Sequence, residues 1–126
     1  MSREALKFIS ESMKELGFNY HFGELKGQPK YPYFVGEYQE VPPIGESGGQ
    51  DTQFMITGFT RVSWNELEQA KGKIKDYFNK TTGKTAIADN NSVVAVFYES
   101  SSTDLTGDAE LKKIQINLLV KEWSVN

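Results

Sequence analysis

Residues 53–78 read QFMITGFTRVSWNELEQAKGKIKDYF, and two structural periods meet inside them. Residues 53–61 are rich in aromatic and β-branched side chains, the composition of a buried strand. Ser63-Trp64-Asn65-Glu66 then fits a capping box, in which the serine and the glutamate each satisfy a free amide of the first helical turn. Beyond it Trp64, Leu67, Ala70, Ile74, Tyr77 and Phe78 recur at intervals of three or four, one apolar stripe of a helix. Glu68, Lys71, Lys73 and Lys75 fall mainly off that stripe, so the segment predicts a strand, a turn and a helix laid over a sheet. It carries no catalytic group.

Before this unit, Ser2 is placed to cap a first helix with Leu6, Ile9, Met13 and Leu16 on one stripe, and Gly17 stands where a left-handed cap ends it. Phe18, Tyr20 and Phe22 alternate with Asn19, His21 and Gly23, the period of a half-buried strand. A turn follows over residues 27–32. Residues 33–41 (YFVGEYQEV) form a second strand bracketed by Pro32 and by Pro42-Pro43, since proline cannot donate into a ladder. Residues 44–50 (IGESGGQ) read as the most flexible piece of the chain, and the strands on either side of it are expected to pair antiparallel.

After the unit, Gly83 is placed to end the connection, and residues 84–89 and 92–99 predict a hairpin around Asn90-Asn91, residues that tolerate positive φ. Residues 100–107 read as a polar loop. Ile114, Ile116, Leu118 and Val120 then alternate with Lys113, Gln115, Asn117 and Lys121, one dry face and one wet. The order helix, three strands, helix, three strands predicts an α+β fold: a mostly antiparallel β-sheet of about five to six strands with two α-helices packed on one face. At 126 residues the chain fits a single domain, 1–126, large enough for one continuous core.

Composition removes several chemistries. There is no cysteine, hence no disulfide, thiolate nucleophile or cysteine-held zinc. The start runs directly into an amphipathic pattern without an export signal, and no apolar run approaches the ~18 residues of a membrane span. The expectation is a protein made and kept in the cytoplasm, without a membrane partner.

His21 is the only histidine, and strand alternation puts it opposite Phe18, Tyr20 and Phe22, where a surface histidine is the default. Gly83-Lys84-Thr85 is the ending of a phosphate-binding loop, but it follows a helix instead of opening one and lacks the leading glycine. Asp104, Asp108 and Glu110 do not have calcium-loop spacing and read as a solvated acidic loop. Tyr33, Phe34 and Tyr38 sit in acidic surroundings, which suits core and interface packing and not nucleic acid. No catalytic, cofactor or metal residue is predicted.

Net charge is −3 but uneven. Residues 31–60 contain Glu37, Glu40, Glu46 and Asp51 and no lysine or arginine, while residues 61–90 hold Arg61, Lys71, Lys73, Lys75, Lys80 and Lys84. Either acidic and basic faces of identical subunits dock head to tail, or charge segregated in sequence intermixes in space to give an ordinary surface. On the first reading the candidate interface residues are Glu37, Glu40, Glu46, Asp51, Arg61, Lys71 and Lys75. Trp123 joins them as an apolar residue on the wet side of its strand.

Three segments together resemble a family of short proteins from the tail-assembly gene modules of long-tailed phages and Gram-positive prophages. They are Tyr33-Phe34-Val35-Gly36-Glu37-Tyr38, then Thr57-Gly58-Phe59-Thr60-Arg61 running into Ser63-Trp64-Asn65-Glu66-Leu67, and Leu111-Lys112-Lys113-Ile114-Gln115-Ile116-Asn117-Leu118 with Lys121-Glu122-Trp123. The resemblance implies a virion structural protein of the tail terminator (tail completion) type, a non-enzymatic α+β protein without cofactors. In that family six copies close a ring on the finished tail tube, stop its growth and offer a surface to the head-tail connector. It implies partners in the protein itself and the tail-tube protein, and a place in the host cytoplasm during assembly and then in the virion tail. A head-tail connector or minor capsid protein remains an alternative, as does a host-directed binding or regulatory module.

Overall fold

The computed structural model describes residues 1–40, 50–88 and 91–124. Its elements are α1 (Arg3–Glu15), β1 (Asn19–Phe22), β2 (Tyr33–Glu40), β3 (Gln50–Thr60), α2 (Trp64–Tyr77), β4 (Lys84–Ile87), β5 (Ser92–Asp104) and β6 (Lys112–Ser124). Local chemistry sets both helix starts. Ser2 Oγ accepts from the Ala5 amide at 3.0 Å, and Ser63 Oγ accepts from the Glu66 amide at 3.2 Å. Past the end of α1, Gly17 adopts φ +86°, as a left-handed cap requires.

The capping box at α2 is made only in its forward half. Glu66 does not turn back to Ser63; its carboxylate accepts a 2.6 Å hydrogen bond from the Thr60 hydroxyl at the end of β3. Thr60 is fully buried, and its hydroxyl also accepts from the Val62 amide at 3.1 Å. A buried hydroxyl without an acceptor for its proton is costly, and that demand claims Glu66 for the strand-helix corner.

The strands form one curled sheet in the order β1-β2-β3-β6-β5-β4. β1 runs parallel to β2 and every other pair is antiparallel. The expected α+β class, the antiparallel β2/β3 pair, the β4/β5 hairpin and the two-faced β6 are all present. Residues 41–49, which include all of the segment read as flexible except Gln50, the first residue of β3, and Asp89 and Asn90 of the hairpin lie outside the described residues.

Both helices cover the same face. Ile9 and Met13 of α1 and Leu67, Ala70, Ile74 and the following Phe78 of α2 join Phe34, Phe54, Ile56, Val96, Ile114, Ile116, Leu118 and Val120 in one core. Gly36 and Gly58 belong to this face because their neighbours leave no space for a side chain: a Cβ on Gly36 would meet the Tyr20 hydroxyl and the Phe54 ring, and one on Gly58 the Phe34 ring. Trp64 is 40% exposed, so the buried stripe of α2 begins at Leu67.

Two expectations are corrected. Residues 100–104 are not loop: β5 continues through Asp104, with a bulge between Tyr98 and Ser100, because β6 extends far enough to pair with it. Ser100, Ser102 and Asp104 of that half are in register with Asn117, Gln115 and Lys113, and Asn117 Nδ2 donates to Ser100 Oγ at 3.0 Å. The wet face is not uniformly wet. It carries Val35, Met55, Phe59, Val93, Ala95, Phe97 and Leu119, with Val93 and Ala95 buried and the rest half-buried.

Candidate interaction surface

The sheet register places the predicted interface residues. Glu37 and Glu40 lie on the last four residues of β2, all of them exposed. β1 covers β2 only as far as Gly36, so the outer backbone of this end of the strand is an open edge. Glu40 holds the Met1 amino group, and Tyr38 stacks on Phe22 with ring centres 5.9 Å apart. Asp51 is exposed near the start of β3, in register with Lys121 of β6. Glu46 lies outside the described residues.

The basic residues are divided between contacts inside the chain and an open flank. Arg61 follows β3, and its guanidinium bonds Asp108 Oδ2 at 3.0 Å and the Tyr31 hydroxyl at 3.3 Å. Lys71 pairs with Glu68 one turn back at 2.5 Å, which holds its ammonium more firmly charged than usual. Lys75 lies over the Tyr98 ring at 5.5 Å, and Lys84 of β4 lies over the Tyr77 ring at 4.7 Å. Lys75 and Lys84 thus flank the β5/β4 side of the sheet.

Strands β3 and β6 separate β2 from β5, roughly 14 Å by the usual spacing of strands. Glu37 and Glu40 therefore stay apart from Lys75 and Lys84, whereas Arg61, Lys71 and Asp51 sit beside opposite charges of their own chain. Part of the charge set is thus intermixed within the chain, while Glu37 on one edge and Lys75 and Lys84 on the other stay apart. Trp123 is in register with Val93 and 40% exposed on the face without helices.

The three sets of residues weighed for chemistry, around His21, Gly83 and Asp108, lie apart from one another. Asp108 Oδ1 accepts from the Glu110 amide at 3.0 Å, and its carboxyl is held below the usual carboxylate range by that bond first and by Arg61 second. Among the described residues no group of three or more His, Asp or Glu side chains is placed to hold a metal ion. Gly83-Lys84-Thr85 enters β4 and not a helix, so no helix amides face a phosphate there. His21 is half-buried beside Val35. A cleft of about 600 Å³ lies between α1 and β4, bounded by Arg3, Lys7, Glu11 and Ile87, with Lys7 and Glu11 paired at 3.9 Å.

Sequence reading missed the open half of β5 and the most exposed apolar side chains, Leu105 (97%), Ile87 (76%) and Val62 (66%). A polar run such as Ser100-Ser101-Ser102-Thr103 looks like a loop until its partner strand is known. Among the described residues no helix is long and apolar enough to cross a membrane. No family model matches the chain, and no curated protein matches it.

Proposed function

We propose that this protein is a non-enzymatic structural component of a phage or prophage particle, a tail terminator whose copies form a ring, six by the family's pattern, on the end of the tail tube. The observation that carries this reading is where the resembling segments lie. Residues 33–38, 57–67, 111–118 and 121–123 occupy β2, β3, β6 and the start of α2, three adjacent strands and the helix packed on them. The resemblance is thus to one contiguous body, not to scattered surface pieces. The α+β architecture is the one the resemblance implies, and the acidic and basic residues on opposite edges suit head-to-tail association of identical subunits.

The ring would meet the tail-tube protein on one side and the head-tail connector on the other. Purified protein is mixed with tail tubes of the same phage and followed by native mass spectrometry and electron microscopy. The expected result is a ring at one end of each tube, with no further elongation when free tube subunits are added. A strict monomer, alone and with tubes, overturns the reading. Immunogold label on the capsid vertex instead of the tail end would move the protein to the connector or minor capsid station.

A further inference from the structure

The two edges of the sheet are stepped. β1 projects from β2 beside Tyr33 to Gly36 and leaves Glu37, Tyr38, Gln39 and Glu40 open. On the opposite edge β4 projects from β5 beside Val93 to Val96. Among the described residues no strand lies outside Ser101 to Asp104.

The ladder register sets these steps at matching heights. Tyr33 is level with Phe59, Lys113 and Asp104, and Gly36 with Ile56, Ile116 and Ser101. β1 therefore stands at the height of the notch on the far edge. By the same reckoning Lys84 of β4 is level with Val96, Val120, Thr52 and Glu40. Direction also agrees: β1 runs with β2, and three antiparallel steps lead from β2 to β5, so β1 and β5 of copies set side by side are antiparallel.

The geometry points to strand addition between copies of this chain: β1 of one copy enters the notch beside Ser101 to Asp104 of the next, continuing the sheet from subunit to subunit. This rests on the self-assembly reading above and names its contact. Four further observations choose a second copy as the occupant. The outer backbone of β1 makes no ladder hydrogen bond among the described residues. The edge from Ser101 to Asp104 contains neither proline nor lysine, the usual guards of an open strand. Charge agrees as well, since the same placement brings Glu40 of one copy, which also holds the Met1 amino group of its own chain, to the height of Lys84 of the next, with Lys75 close by on Tyr98. Leu105, bare in the single chain, stands just past the notch where an incoming strand would cover it. Such a contact is heterologous, and it closes a ring when the rotation per copy divides a full turn.

The chain has no cysteine, so cross-linking tests the register directly. His21 is level with Val35, Thr57, Gln115 and Ser102, and both His21 and Ser102 lie on the face without helices. Across the new ladder their Cβ atoms would be about 4.5–5.5 Å apart, a separation that a small shift of the edge strand brings to disulfide distance. The double variant His21→Cys, Ser102→Cys is oxidised mildly, alone and on tail tubes, beside the single variants and a control carrying His21→Cys with Thr85→Cys, which sits at another height. The expected result is covalent oligomers beyond the dimer from the first pair alone.

Ser102→Pro, checked for native circular dichroism, is expected to leave a folded monomer with at least tenfold weaker self-association. Rings that form without this cross-link, or with the control cross-link, overturn strand addition and leave the ring reading standing. A chain that stays monomeric even on tail tubes overturns both.

Discussion

Arg61 Nη1 lies 3.0 Å from Asp108 Oδ2, joining the β3-α2 corner to the connection between β5 and β6. The residue that charge pattern alone offered to a neighbouring subunit is engaged inside its own chain. Arg61→Ala is therefore expected to leave self-association unchanged within twofold, whereas Lys84→Glu, which reverses a charge lying only against the Tyr77 ring, weakens it. Sedimentation of the two variants at equal concentration checks the difference.

The same pair has a pH signature. The Asp108 carboxyl is held below its ordinary 3.8, first by the Glu110 amide and then by Arg61. A depressed carboxylate contributes stability above the ordinary carboxylate range and loses it as pH falls through the depressed value. Carboxyl NMR titration should find Asp108 below 3.8, and Arg61→Gln should raise it only part of the way, because the amide bond remains. The group is exposed, so added salt should shrink the Arg61 share.

Glycine substitutions are expected to differ in sign. Gly72 lies inside α2 with open space around its missing Cβ, so Gly72→Ala should stabilise by about 0.5–1 kcal/mol. A Cβ on Gly58 would stand 2.5 Å from the Phe34 ring, and one on Gly36 would stand 2.7 Å from the Phe54 ring. Gly58→Ala and Gly36→Ala should each cost about 1–3 kcal/mol, the range for overpacking. Urea unfolding midpoints of the three variants test the contrast.

At the start of α2, Ser63→Ala removes the acceptor for the Glu66 amide and should cost about 1 kcal/mol. Thr60→Val removes the hydroxyl shared by Glu66 and the Val62 amide, for an expected loss of about 1–3 kcal/mol. If the reverse half of a capping box held this helix instead of the strand-helix corner, Thr60→Val would be the milder change. Thermal unfolding ranks the two.

Thr52 is fully buried, and its hydroxyl finds no hydrogen-bond partner among the described residues. Thr52→Val keeps the β-branch and removes the unpaired group, so it should stabilise by about 1 kcal/mol. A chemical denaturation curve showing a loss instead would mean that the hydroxyl has a partner.

Most elements were legible because their causes are local. Ser2, Gly17 and Ser63 mark helix ends through bonds made within a few residues, and the alternation of Ile114, Ile116, Leu118 and Val120 records one dry face of β6. Where the cause is distant the reading failed. Residues 100–104 are strand because β6 lies beside them, and Glu66 turns to Thr60 because a buried hydroxyl needs an acceptor. The candidate surface divided in the same way: composition located the charges, and only contacts across the chain showed that Arg61 and Lys71 are engaged while Glu37 stands open.

Periodicity, caps and the absence of cysteine were enough for an α+β chain with two covering helices and no thiol chemistry, since backbone period and side-chain type are properties of short segments. Which strands end early beside longer neighbours, and so which edges remain open, depends on pairing between residues as far apart as Gln50 and Glu122. No short segment carries that information, and for this protein it is what separates a closed scaffold from one with matching steps on its two edges.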